Sequence, residues 1–171
     1  MTMDLQADAL TRSRTVTWQD PAAIRDRVRG QTGLEIMRGI RDGVLPPPPM
    51  ARLIGFRCVV AEPGEVVMEL SPEESLENTM GMIHGGTAAA MLDTAMGGAA
   101  HTLLPGDKAT VTLDLTLTYL KPVTVASGPI RAIGRVLNLG GRTAYVTGEV
   151  RDGADRLMVH AVGNFSIVGG A

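Results

Sequence analysis

From residue 109 to 120 the chain reads ATVTLDLTLTYL. Val111, Leu113, Leu115, Leu117 and Tyr119 alternate without a break with Thr112, Asp114, Thr116 and Thr118, the period of two that marks a half-buried strand. The alternation predicts that the apolar set meets a core while Thr112 and Asp114 face away from it. Pro122 stops the run. Three more strands are predicted at roughly 129–138, 142–151 and 156–168, with Asn138-Leu139-Gly140-Gly141 and Asp152-Gly153 at the breaks, as hairpin turns require. Upstream, Leu53 to Val60 and Glu65 to Leu70 flank the turn Glu62-Pro63-Gly64 and predict a further strand pair.

A polar loop, SPEESLENTMG, then leads into a different pattern. From Gly85 to Leu104 the residues are small and apolar, and Asp93 is the one formal charge apart from any on His101. A membrane span needs roughly 20 mostly apolar residues. This run carries Asp93, His101, Thr87, Thr94, Thr102 and the pair Gly97-Gly98, so a buried core helix is the expectation. The order strand, strand, helix, four antiparallel strands predicts an α+β fold: one antiparallel sheet wrapped around one long central helix. Small side chains would let a curved sheet come close. Gly97 and Gly98 each cost about 1 kcal/mol of helix propensity against alanine, which close packing would offset.

The N-terminal third has weaker patterning. Residues 1 to about 19 are polar and aperiodic and are expected to form a mobile arm. Asp20-Pro21 has the form of a helix start. Leu34, Met37 and Ile40, with Ile36 beside them, make a rough helical stripe ending near Asp42-Gly43. Gly30 and Gly33 weaken its middle, which points to two short helices. Pro46 to Pro49 would be a stiff extended connector. The expected organisation is an arm, helical segment and proline linker over 1–49, then one domain over 50–171.

Composition narrows the function. At 171 residues the chain suits one domain with a sizeable core. A net charge of −2 disfavours a nucleic-acid binder, which usually shows a basic face. Trp18, Phe56, Tyr119, Tyr145 and Phe165 are the only aromatics, too few for base-stacking platforms. Cys58 is the single cysteine, so it reads as a small buried hydrophobe. No Cys/His cluster has zinc-ligand spacing, and no metal is expected. The N-terminus, MTMDLQADALTRSRTVTWQD, carries acids and no apolar core, unlike a secretory signal. The cytoplasm is the default location.

The segment MIHGGTAAAMLD, residues 82–93, holds the candidate chemistry. An acid on a buried helix is costly unless paired. On burial alone, a structural carboxylate bonded to a nearby backbone or hydroxyl group is the competing interpretation. His84-Gly85-Gly86 stands where the helix should begin. A helix N-terminus offers free N–H groups and a positive dipole end, and glycine lets a substrate approach them without meeting a Cβ. Such N–H groups can hold a developing oxyanion. Gly85 and Asp93 are eight residues apart, about 12 Å along a helix. Both would have to lie within about 3 Å of the reacting atoms. Two antiparallel copies of the helix could achieve this, so a dimer with shared sites is the hypothesis.

Asn78-x-x-Gly81-x-x-His84-Gly85-Gly86, followed by Asp93, resembles the hotdog-fold acyl-CoA thioesterases of the phenylacetic-acid-degradation type, related to one branch of the 4-hydroxybenzoyl-CoA thioesterases. LDLTLTYLKPV (113–123) and Gly140-Gly141-Arg142-Thr143-Ala144 also look like that family. The likeness spans about residue 50 to 168, and a helical N-terminal extension would precede the common core. The resemblance implies a homodimer or homotetramer that hydrolyses an acyl-CoA. Asp93 would be general base or nucleophile, and the Gly85 N–H would polarise the thioester carbonyl. His84 and Asn78 would position substrate, leaving group or water. Thr112 matches a family hydroxyl near the acid, although its strand face argues against it. Gly86 would border the substrate, and Lys121, Arg142 or Arg135 would meet the coenzyme A phosphates. No cofactor is implied, because coenzyme A arrives as part of the substrate.

Two rivals remain at this level. A hotdog enoyl-CoA hydratase typically follows its Asp closely with His, whereas here the His precedes Asp93 by nine residues. A non-catalytic acyl-CoA sensor would use the same cleft without turnover. His101 and His160 are isolated and read as structural. Met80, Met82, Met91 and Met96 are the adaptable candidates for lining an acyl pocket.

Overall fold

The computed structural model describes residues 11–169. Residues 1–10 of the predicted arm, and residues 170 and 171, lie outside that range. Three short helices lead in: α1 (Pro21–Arg27), α2 (Gly33–Arg41) and α3 (Pro49–Ile54). The Asp20 carboxylate accepts from the Ala22 N–H and caps α1, with Pro21 at the first helical position. Gly30, at φ 80°, separates α1 from α2 as expected.

Helix α3 corrects the first strand boundary. Residues 53 and 54 are helical, and the prolines do not stay extended: Pro48 is the N-cap and Pro49 opens the helix. Gly55, left-handed at φ 101°, ends it. Proline just inside the start and glycine just past the end is a helix signature. Six residues are too few to show a helical period beside it.

Then come β1 (Arg57–Glu62), β2 (Glu65–Leu70), α4 (Gly85–His101), β3 (Lys108–Tyr119), β4 (Ile130–Leu139), β5 (Thr143–Arg151) and β6 (Leu157–Gly169). The strands form one antiparallel sheet in the order β1-β2-β4-β5-β6-β3. It wraps α4, which packs against β2 through β6. Met91, Leu92, Ala95, Met96, Ala99 and Ala100 of α4 are fully buried. Met91 and Met96 are therefore core residues, not pocket walls.

Close approach depends on glycines of the sheet as much as those of the helix. A Cβ on Gly134 of β4 would lie 2.5 Å from the Ala95 carbonyl, and one on Gly148 of β5 would lie 2.6 Å from the Met96 sulfur. Gly97 and Gly98 of α4 accommodate Phe165 and Met37 respectively. Met37 brings α2 into the main core.

Cys58 is buried, and burial pushes its thiol up to about 11, which suits a packing role. Burial likewise lowers the pKa of His101, against a hydrogen bond with the Lys108 backbone. Among the described residues no helix is long and apolar enough to cross a membrane.

One irregularity positions the site. Thr112 pairs with Phe165 and Asp114 with Asn164, leaving Leu113 as an extra residue in β3. From Val159 to Phe165 the alternation of β6 is unbroken: Phe165, Ala161 and Val159 are buried against the helix. Their partners change parity at the bulge. Thr110 and Thr112 face α4 before it; Leu115, Leu117 and Tyr119 face α4 after it. Val111 and Leu113 are left 52% and 59% exposed. The expectation that Thr112 faces away from the helix is thus overturned. A single extra residue moves every later side chain to the other face.

Candidate active site

The loop before α4 is built by Asn78. Its Oδ1 accepts from the N–H groups of Met80 (2.9 Å) and Met82 (3.3 Å), and its own N–H donates to the Met82 carbonyl at 2.7 Å. The Ile83 N–H donates to Val123 O and the His84 N–H to Leu76 O, at 2.9 and 2.8 Å. His84 therefore arrives fixed at the head of α4. Its Nδ1 accepts the Gly86 N–H at 2.9 Å, so the imidazole is the N-cap. A ring nitrogen that accepts leaves the neutral imidazole's proton on Nε2. Gly86, named as a substrate contact, has its N–H occupied in this way. Among the described residues the Gly85 N–H has no acceptor.

A cavity of about 250 Å³ opens at this helix end. Asn78, His84, Gly85, Tyr119 and Lys121 line it, with Met82, Ile83, Leu120, Val123, Ile130 and Val159 among the apolar walls. Of the four methionines singled out, only Met82 reaches it; Met80 is 77% exposed. Lys121 is the one of the three proposed phosphate contacts that borders the cavity. Arg135 is ion-paired with Glu65 at 2.7 Å. Arg142 lies in the β4–β5 turn, next to Thr143, whose register runs through Ser166 to Val111. That places it level with the first half of β3, away from the cavity.

Asp93 and Thr112 do not line the cavity. They meet each other: the Thr112 hydroxyl donates to Asp93 Oδ1 at 2.7 Å. Asp93 is half-buried, not enclosed as its helix predicts, and lies on the stripe of α4 that includes Gly86, Ala89, Ala90 and Gly97, none of them buried. The carboxylate keeps solvent access beside the edge strand β3, and Thr112 holds its rotamer. A hydrogen bond to a charged group is worth about 1.5–3 kcal/mol. Thr112→Val is accordingly expected to lower activity about tenfold with a fall of only a few degrees in melting temperature, checked by initial rates and thermal melts.

Tyr119 is the site residue that sequence patterning did not single out. Its hydroxyl donates to the Gly85 carbonyl at 2.9 Å, and its ring lies against the glycine, where a Cβ would meet it at 3.2 Å. Its place in the alternating run was legible; that it would meet Gly85 was not.

A long helix opening on His-Gly-Gly, wrapped by one antiparallel sheet and carrying a hydroxyl-bonded carboxylate two turns on, defines the hotdog class of α+β protein. Residues 80–159 match the model of the thioesterase superfamily. The chain is 31% identical to the conserved protein PA5202 of Pseudomonas aeruginosa, with a TM-score of 0.67 over 71% of this chain and 95% of that one. It is 29% identical to human acyl-coenzyme A thioesterase 13 over 60% of this chain and 73% of the relative. The PaaI protein of the Escherichia coli phenylacetic acid degradation operon, 18% identical, shares the fold at a TM-score of 0.71 over 82% of this chain and 99% of its own. The chain belongs to the thioesterase superfamily, and its class of activity is thioester hydrolysis.

Proposed function

We propose that the protein hydrolyses an acyl- or aryl-CoA thioester to the free acid and coenzyme A, in sites shared between two protomers. Asp93 of one protomer acts as general base or nucleophile; the Gly85 N–H of the other receives the charge that builds on the carbonyl oxygen. As base, the carboxylate takes a proton from water, whose oxygen adds to the thioester carbon. The C–S bond then breaks and the thiolate leaves, taking up a proton.

One observation carries this reading: Asp93, half-buried and held by Thr112 of β3, and the Gly85 N–H, without an acceptor among the described residues, lie on one rigid helix, about 12 Å apart at 1.5 Å per residue. Two such helices placed antiparallel bring the acid of each to the glycine of the other. The 12-residue strand β3 supports such a pairing, since it lies at the sheet edge with Val111 and Leu113 exposed and an open edge is a template for a second strand. The apolar group of the substrate enters the cavity beside Gly85. At about 250 Å³ it sits just below the usual range of small-molecule sites, which favours short, medium or arylacetyl groups over long chains. Lys121 at its border meets the anionic part of coenzyme A.

Mixing two inactive variants tests the shared site. Asp93→Asn and Gly85→Pro homodimers, the second lacking the N–H at a first helical position that tolerates proline, refolded together, are expected to regain up to about a quarter of wild-type thiol release. Half the dimers are then mixed and each has one intact site. No recovery, with mixed dimers demonstrated by mass spectrometry, would mean that each protomer works alone.

A further inference from the structure

We propose that Tyr119 is a positioning residue that anchors Gly85 through its carbonyl and so limits the swing of the Gly85 N–H. The inference rests on that N–H being the oxyanion donor. Two successive glycines at a helix start have wide backbone freedom, a poor basis for a donor that must be preorganised. Here the peptide unit between them is held at both polar ends. Its carbonyl, on Gly85, accepts from the Tyr119 hydroxyl at 2.9 Å; its N–H, on Gly86, donates to His84 Nδ1 at 2.9 Å.

A peptide is planar, so two such bonds fix its orientation. The preceding unit is held too: the His84 carbonyl accepts from the Thr87 N–H at 2.9 Å. Among the described residues the Gly85 N–H is the one backbone donor left open at this junction; it belongs to the His84–Gly85 unit and is joined through the Gly85 Cα to the unit that Tyr119 and His84 hold.

The bulge at Leu113 makes the arrangement possible. Thr112 and Tyr119 have opposite parity in the sequence, so a regular strand would point only one of them at α4. With one extra residue between them, β3 serves both ends of the chemistry: Thr112 at Asp93 and Tyr119 at Gly85. Tyr119 is 53% exposed and lines the cavity, so its hydroxyl is not needed to hold the core.

Tyr119→Phe keeps the ring against Gly85 and removes only the hydroxyl. With an acyl-CoA that the wild type turns over, kcat is expected to fall about tenfold, less than for losing an oxyanion donor outright. KM should stay within about twofold, since a group acting only in the transition state lowers kcat without weakening ground-state binding. The melting temperature should not change. Combined with His84→Ala, the second loss should be smaller than it is alone, because both residues hold one peptide. An unchanged kcat overturns the proposal, and so does a rise in KM that accounts for the whole loss, which would make Tyr119 a substrate contact. A wild type that hydrolyses no acyl-CoA removes the proposed function and this role with it.

Discussion

Asp93→Asn is expected to lower thiol release from acyl-CoA by about three orders of magnitude, within the range of a lost general base, with substrate binding retained. The substitution is isosteric, and the amide oxygen it introduces can still accept from Thr112. The geometry at 2.7 Å is thereby preserved while the basic or nucleophilic group is lost. Asp93 is half-buried beside an edge strand, so no core packing depends on its charge. The measurement is thiol release across short, medium, long and arylacetyl-CoA, with binding followed separately. A variant as active as the wild type would return Asp93 to a structural role. A wild type that binds acyl-CoA and releases no thiol would instead support the sensor interpretation.

Gly134→Ala is expected to be a strongly destabilising single methyl at the centre of the sheet–helix interface. Its Cβ would sit 2.5 Å from both the carbonyl carbon and oxygen of Ala95 and 2.7 Å from the Met96 Cα. These are backbone atoms in the middle of α4, so no rotamer change can relieve the overlap. Overpacking costs typically 1–3 kcal/mol, and a rigid obstacle puts this site at about 3 kcal/mol or more. For a chain of this length that is a fall of roughly 6–12 °C in melting temperature. Gly148→Ala faces the flexible ends of Met96 and Leu92 and should cost less. If the two variants melt alike, contact between strand and helix backbone is not what limits this position.

Much of the architecture was legible because its periods are long and its breaks are chemical. Twelve residues of strict alternation announce β3. Glycine pairs and Asp-Gly mark the hairpins after it, and the charge-poor run with one acid marks α4. The cap at Asp20 and the break at Gly30 follow from the same local rules. Helix α3 escapes the pattern because a six-residue element shows no period, although its Pro and Gly ends are in plain view. Gly134 and Gly148 carry no signal because a lone glycine in a strand pattern says nothing about what lies opposite it.

At the site, local sequence sufficed for what one element holds by itself: His84, Gly85 and Asp93 belong to one helix, and its rise sets their spacing. It also sufficed for the family, through the Asn-to-Asp segment. The partners of those residues came from elsewhere in the chain. Thr112 lies nineteen residues from Asp93 and Tyr119 thirty-four from Gly85, and their meeting depends on a bulge at Leu113 that leaves no break in the alternation. Alternation records which residues share a face; it does not record where a strand slips by one against its neighbour, because that slip is a property of the pair β3–β6. The sequence by itself therefore determined the helix, the candidate groups it carries and their separation of about 12 Å at 1.5 Å per residue. Only the tertiary structure decided which hydroxyls meet them, since strand register is settled by packing between residues far apart in the chain.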